Sequence, residues 1–355
     1  MSLSPLASGR MRQMKLSGGM TLIVVGAFCA TTAGAERMEP LRILQEYTKT
    51  REATQRHIVE SEELRENTDT AFGAVSRWER RRYSLMTDGD RVDLTAVTED
   101  IVYDQDGAMH VRGNAVTRSA IWDGTTWSVY TSVGGGSASM SNHGRKKDHY
   151  VAGAYGGACL DGILPGDMRP VDTILKGADS ISVREQLEPV NGIPCQVIVA
   201  TTANGRYTLW IDPEHGYNIS RAELTKKGND LYLGEATEHV FKSLPAGVRP
   251  AMSANRPKTR EEFSVVLDDV RFERIDGLWV PIEVRIQMAT KFDGGKLTAV
   301  SRRHIKRTHI DLDPDFAAAK AFIRDFPDGT EVYIEEAPGI LHRWKDGKPE
   351  PVRRY

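Results

Sequence analysis

Asp276-Gly-Leu-Trp-Val-Pro-Ile-Glu-Val-Arg-Ile-Gln-Met288 decides the fold class. Val280, Ile282, Val284, Ile286 and Met288 alternate with Pro281, Glu283, Arg285 and Gln287. Side chains of a strand alternate between faces, so this run presents an apolar face to a core and a polar face to water, as an antiparallel strand does. Asp276-Gly277 precedes the run and Asp293-Gly294-Gly295 follows it. Asp-Gly and Asn-Gly tolerate the positive φ of tight hairpin turns. The same signal stands at Asp123-Gly124, Asn191-Gly192 and Asn204-Gly205, between strand-like segments 120–122, 127–130, 180–186, 195–200 and 207–211. Val92, Leu94 and Ala96 repeat the alternation. Serial hairpins imply a meander and exclude βαβ units.

Helix is scarce. Segment 40–56 is helix-like, with Leu41, Leu44 and Tyr47 on one side; 170–176 is a short helix ended by Gly177; Asp313-Pro314 supplies a cap and a first-turn proline for 315–325. Three short helices cannot cover both faces of a long sheet. The expected fold is mainly β: a large curved antiparallel sheet, a half-open barrel of about eight to eleven strands, with a few short helices on its concave side. Two stretches read as loops, the glycine-rich and basic 134–147 and the proline-containing 243–260. From Phe326 the pattern changes to a small terminal hairpin.

Arg12 and Lys15, the apolar stretch 20–30 and Ala33-Gly34-Ala35 form an export signal, with cleavage expected after Ala35. The apolar stretch is about half the roughly 20 residues of a bilayer span, and Phe28 argues against a lipid anchor on Cys29. The mature chain is expected to be periplasmic, with no transmembrane segment after cleavage. The expected organisation is a signal peptide (1–35), a curved-sheet domain (36–312) and a C-terminal helix with a small hairpin appendix (313–355). Formal charge is −2, and losing Arg10, Arg12 and Lys15 takes it to −2 − 3 = −5. Mixed charges and the absence of a polybasic tail exclude nucleic acid as a partner class. The basic cluster Arg77, Arg80, Arg81 and Arg82 reads as a solvated strand face. Cys159 and Cys195 survive cleavage; in an oxidising compartment they read as a disulfide, with two buried thiols as the alternative.

Catalytic patterns do not assemble. Gly134-Gly135-Gly136 with Lys146 lacks phosphate-loop spacing, and Ser137 and Ser139 lack the nucleophile elbow. His143 and His149 are six apart, which fits no zinc helix. Asp104-Gln-Asp106-Gly107 starts like a calcium loop but lacks the later ligands, so it reads as a hairpin turn. Asp313 reads as a helix cap rather than a metal ligand among Asp311, Asp313 and Asp315. His304 and His309 lie on or beside a basic strand and read as ion-pairing residues. No catalytic residue, cofactor or metal is therefore expected. A concave sheet with little helix has apolar surface available to a guest. The expected ligand-lining residues are Leu209, Ile211, Ile282, Val284, Ile286 and Met288.

Tyr207-Thr-Leu-Trp-Ile-Asp-Pro-Glu-His-Gly-Tyr217, the return strand 219–225, Gly277-Leu-Trp-Val-Pro281, the export signal, the early helix and the long meander resemble the LolA/LolB-like lipoprotein-carrier superfamily of the bacterial envelope. The resemblance covers roughly 37–312. It implies a half-open antiparallel barrel that holds acyl chains under a helical lid, and lipid or lipoprotein acyl chains as partners. The expected function is periplasmic, non-enzymatic binding of a lipid or acyl chain. Two alternatives stay open: an envelope sensor or adaptor gripping a protein partner with the same fold, and an extracytoplasmic hydrolase with unassigned residues.

Overall fold

The computed structural model describes residues 38–69, 75–104, 108–143, 155–239, 260–292, 295 and 297–354. The expected export signal, residues 144–147 of the basic loop, His149 and nearly all of the proline-containing loop lie outside the described residues. The strands are β1 (His57–Asp69), β2 (Val75–Asp88), β3 (Arg91–Tyr103), β4 (Met109–Trp122), β5 (Trp127–Thr131), β6 (Ser137–Ser141), β7 (Ser180–Val183), β8 (Glu188–Val190), β9 (Ile193–Thr202), β10 (Gly205–Asp212) and β11 (Asn218–Lys227). They continue as β12 (Leu231–Tyr232), β13 (Glu235–Ala236), β14 (Arg260–Ile275), β15 (Leu278–Phe292), β16 (Leu297–Asp311), β17 (Glu331–Ile334), β18 (Ile340–Lys345) and β19 (Lys348–Arg354).

Seventeen strands share one open sheet among the described residues. β7 and β8 both pair with β9; the order then runs β10, β11, β14, β15, β16, β1, β2, β3, β4, β5, β6, β17, β18, β19. Every contact is antiparallel except β6 on β17. The sheet is larger than expected because short strands extend one end. Stretch 137–141, expected in a loop, is β6: glycines 134, 135 and 136 take positive φ to turn the chain, and Ala138 and Ser141 are then buried. Register shifts at Glu60/Ser61, Trp210/Ile211 and Asp268/Arg271 are bulges, which bend and twist strands. The turns at Asp123-Gly124, Asn191-Gly192, Asn204-Gly205 and Asp276-Gly277 fall where the sequence placed them, and Asp293 and Gly294 lie outside the described residues; Asn191-Gly192 and Asp276-Gly277 hold positive φ at both positions.

Among the described residues two α-helices, α1 (Pro40–Ala53) and α2 (Val171–Leu175), pack on the inner face. Pro40 opens α1, where a missing N–H costs nothing, and Arg51 stands in its last turn, where a cation is favoured. Ile43, Leu44, Tyr47 and Thr48 are the buried side; Leu41, expected there, is 56% exposed because Ile43 takes the inward phase. Together with Leu160, Leu164, Val171, Ile174 and Leu175 the helices cover Ile198, Leu209, Leu224, Val265, Val284 and Ile305 of the sheet. Each such side chain, fully buried, contributes about 1.5–3 kcal/mol. A second knot fixes the loop after the helical turn Gly156–Asp161. Lys226, fully buried, donates to Asp167 at 2.6 Å, Asn204 O at 2.6 Å and Leu231 O at 2.8 Å, and Tyr207 donates to Asp167.

The helix expected at 315–325 is absent. Asp315 Oδ1 accepts the N–H of Ala317 and Ala318 in a single turn, and positive φ at Lys320 and Phe322 ends it. The segment is anchored instead by Arg324, whose guanidinium reaches Asp123 and Thr126 O, each at 2.7 Å. Cys159 and Cys195 are free thiols, which corrects the expected disulfide. Cys159 lies in the helix-covered core, whereas Cys195 packs with Val197 and Trp210 in a separate cluster, so sheet intervenes between the two sulfurs. Each thiol donates to a local carbonyl, Cys159 to Gly156 and Cys195 to Ile193. Burial pushes their pKa values up, to about 12 and about 11.

Candidate ligand cleft

Where α1 ends and β1 begins, the inner face is not fully covered. A cleft of about 260 Å³ opens there. Arg51, Thr54 and Gln55 border it from the helix end, His57 from the start of β1, Leu85, Thr87, Gly89 and Val92 from the β2–β3 hairpin, and Ala158, Asp161, Ile163, Met168 and Pro170 from the opposite segment. His57 is register partner to Thr87, which brings β1 and β2 side by side on the cleft's wall. The aliphatic side chains come from alternation: Leu85 on β2 and Val92 on β3 face inward, 2% and 8% exposed, as do Leu94 and Ala96.

The charges bordering the cleft are already matched. Arg51 Nε stands 3.1 Å from Asp172, which also accepts from Thr48 at 2.8 Å. Asp161 pairs with Arg307, which donates further to Pro281 O at 3.2 Å. His57 differs. Its Nδ1 lies 2.6 Å from Thr54 O; a carbonyl only accepts, so Nδ1 carries the proton. Nε2 is buried with no partner. Burial lowers the imidazole pKa below its ordinary value, and the pull of Asp161 in the other direction does not compensate.

Beside the cleft the inner face of β1, β2 and β16 is polar. Glu63, fully buried, accepts from Arg65 Nε at 2.8 Å and from the Tyr83 hydroxyl, with Arg303 at 3.5 Å. Burial pushes its carboxyl up, but Arg303, Arg65 and the Tyr83 hydrogen bond outweigh this and hold it below the usual carboxylate range. Gly156 sits against this cluster: a Cβ there would lie 2.1 Å from Glu63 Oε2.

Of the six residues expected to line a ligand site, Leu209, Ile211, Val284, Ile286 and Met288 lie in the core packed against α1 and α2, and Ile282 is half-buried. None of them borders this cleft. His57, Leu85, Ile163 and Met168 carried no distinct sequence signal; Val92 belongs to an alternation visible in the sequence. Several of the other candidates are paired locally. Asp104 accepts from Ala108 N and pairs with His110 across the β3–β4 turn. His304 pairs with Glu283 at 2.7 Å. Arg80 and Arg82 both pair with Glu99. Among the described residues no group of three or more His, Cys, Asp or Glu is placed to hold a metal ion, and no helix is long and apolar enough to cross a membrane.

Comparison with solved structures finds matches of low similarity. A domain described as that of an outer membrane lipoprotein-sorting protein from Vibrio parahaemolyticus covers 80% of this chain and 97% of its own, at 11% identity and a TM-score of 0.35. The chain is similar to LolA-superfamily structures. A LolA superfamily protein from Nitrosomonas europaea, NE2245, covers 82% of this chain and 100% of its own, at 13% identity and a TM-score of 0.34. No protein-family model matches the chain, and no curated protein matches it. At this level of likeness neither protein's role passes to this chain.

Proposed function

We propose that this chain is a non-enzymatic binding protein of the bacterial periplasm that holds one acyl or alkyl chain in the cleft between α1, the 158–170 segment and the β1–β3 wall. The observation that carries the reading is the cleft itself: Leu85, Val92, Ala158, Ile163, Met168 and Pro170 give it apolar walls, and its charges are paired. At about 260 Å³ it is slightly smaller than ordinary ligand clefts, which run from roughly 300 to 1,000 Å³. Its aliphatic walls would take the methylenes of one alkyl chain. Burying each contributes about 0.8 kcal/mol. That favours a single chain over the several chains of a whole lipoprotein anchor. The core containing Leu209, Val284 and Ile286 backs the site.

The test is titration with the uncharged fluorescent probe N-phenyl-1-naphthylamine, followed by displacement with medium-chain alkyl compounds. One saturable site is expected, lost in Ile163→Trp, which fills the cleft, while circular dichroism stays that of the folded chain. Unsaturable binding, or saturable binding untouched by Ile163→Trp, contradicts the reading.

A second reading has one observation of its own. Val102, Tyr103, Met109 and Val111 are 38–46% exposed at the end of the β3–β4 hairpin. An adaptor would use such an apolar tip against a protein, and Tyr103→Lys with Val111→Lys would then abolish partner capture without changing probe binding.

A further inference from the structure

The face of the sheet turned away from the helices carries a groove of its own. On β1, Glu63 and Arg65 are buried on the inner face, so Leu64 and Glu66 point the other way. Register extends that outer face across neighbouring strands. Gln287 on β15 pairs with Arg302 on β16, Arg302 with Glu66 on β1, and Glu66 with Trp78 on β2. The next rung runs from Asp268 on β14 through Arg285 and His304 to Leu64. Residues of both rungs line a groove of about 380 Å³, within the range of roughly 300 to 1,000 Å³ that small-molecule sites occupy. It shares no residue with the acyl cleft.

The groove suits an uncharged ligand rich in hydroxyls. Its charges are matched: Arg302 lies 3.2 Å from Glu66, Arg285 3.3 Å from Asp269 and His304 2.7 Å from Glu283. A charged ligand would therefore set itself against one member of a pair. The pairs nonetheless leave hydrogen-bonding capacity over. Arg302 and Arg285 each meet their partner through Nη1, one contact of a five-donor fork, and both side chains are more than half exposed. Neither the exposed Gln287 amide nor the exposed Asp268 carboxylate hydrogen-bonds to a described residue. Donors and acceptors thus stand side by side, and a hydroxyl, which both donates and accepts, satisfies both. Trp78 and Leu64 are the apolar part, each half-buried. Trp78 is held edge-to-face by Tyr103, with ring centroids 5.3 Å apart. An indole fixed in this way offers flat apolar surface, against which the C–H face of a sugar ring can stack.

We propose that this outer-face groove binds an uncharged saccharide, with one ring stacked on Trp78 and its hydroxyls held by Arg285, Gln287, Arg302 and Asp268. The site is separate from the acyl cleft and does not rest on that reading. Hydrogen bonds to a sugar replace hydrogen bonds to water, so each nets little. The area removed from water by stacking supplies the affinity, and the polar groups select the sugar.

The experiment titrates the protein with cellobiose, maltose, melibiose and diacetylchitobiose at millimolar concentrations, read by calorimetry and by the indole N–H resonance of Trp78 in NMR spectra. At least one sugar is expected to bind saturably and to shift that resonance, leaving the indole of Trp210 unmoved. Trp78→Ala should weaken binding about tenfold, and Trp78→Phe, which keeps a smaller ring, should keep part of it. Gln287→Ala, at an exposed position, should weaken it about threefold. Thermal unfolding of each variant reports whether it is folded, and the wild-type titrations stand without any variant. Failure of all four sugars to bind the wild type overturns the proposal and leaves the acyl cleft untouched. Binding of full strength in folded Trp78→Ala also overturns it, because the sugar then sits elsewhere. Tighter binding of a uronic acid or an amino sugar than of its neutral parent overturns it as well, since charge is then what the groove reads.

Discussion

Over β9–β11 and β14–β15 the inner face is filled by α1 and α2 with aliphatic and aromatic side chains, whereas over β1, β2 and β16 the same face holds Glu63, Arg65, Arg303 and Tyr83 in one buried ionic cluster. The two fillings obey different energetics. Apolar packing is summed over many small contacts, so loss of a methyl group is local and graded. A buried ionic cluster balances large desolvation penalties against large attractions, so removing one member leaves the others uncompensated. The cleft opens at the seam, where α1 ends, His57 begins β1, and neither filling is complete.

The sharpest break of this comparison is Val284→Glu. Val284 is fully buried in the apolar half, and a carboxylate there has no partner. The change should cost more than about 4 kcal/mol and leave the chain largely unfolded in urea or thermal melts. A folded variant would mean that water or ligand reaches this face. Next in size is Glu63→Gln, which strands Arg65 and Arg303. It should cost about 3–5 kcal/mol in urea unfolding, whereas joint replacement of Glu63 and Arg65 by Met should cost less, since no lone charge is created at that pair. Equal costs would show that the cluster does not act as a unit.

Acid sharpens the contrast further. Both Glu63 and His57 have folded-state pKa values below their ordinary ones. For each, the unfolded chain takes up the proton first as pH falls, so stability is complete above the ordinary value and is lost as pH drops toward the folded one. Denaturant midpoints should therefore fall in two steps, one below the histidine range near about 6.5 and one below the glutamate range near about 4.3. His57→Gln should remove the first step, and Glu63→Gln should shrink the second, to which Glu188, Glu262 and Glu283, also held below their ordinary range by their hydrogen-bond partners, contribute the remainder. The smallest effect concerns the sulfurs. A reductant should leave the melting temperature of the protein unchanged, because Cys159 and Cys195 are unlinked. Thiol reagents should react slowly with the folded chain and fast with the unfolded one, since burial raises both thiol pKa values.

The apolar half was legible in the sequence because period-two alternation survives on β15, and Asp-Gly and Asn-Gly mark the hairpin turns. The polar half was not. Glu63 and Arg65 alternate on β1 much as surface charges would, and only the pairing with β2 and β16 turns them inward together. The disulfide reading failed because alternation tells which residues share a face but not which face carries the helices; Cys195 and Ile198 fall on opposite sides of β9. The helix expected after Asp313-Pro314 failed because local capping signals lost to tertiary anchors at Arg324 and Phe322 N. For the cleft, Val92 was visible within an alternation, but His57 acquires its meaning only from the Thr54 carbonyl and from segment 158–170, which is remote in sequence.

The central claim is that a chain-like ligand enters at the seam and not the packed half. Methyl-resolved NMR during titration with n-octanol tests it directly. The account predicts shifts confined to methyls of Leu85, Val92, Ala158, Ile163 and Met168, saturating together, with Leu209, Ile211, Val284, Ile286 and Met288 unmoved. Saturating shifts in the second set without the first would place the ligand beneath α1 and α2 and contradict it.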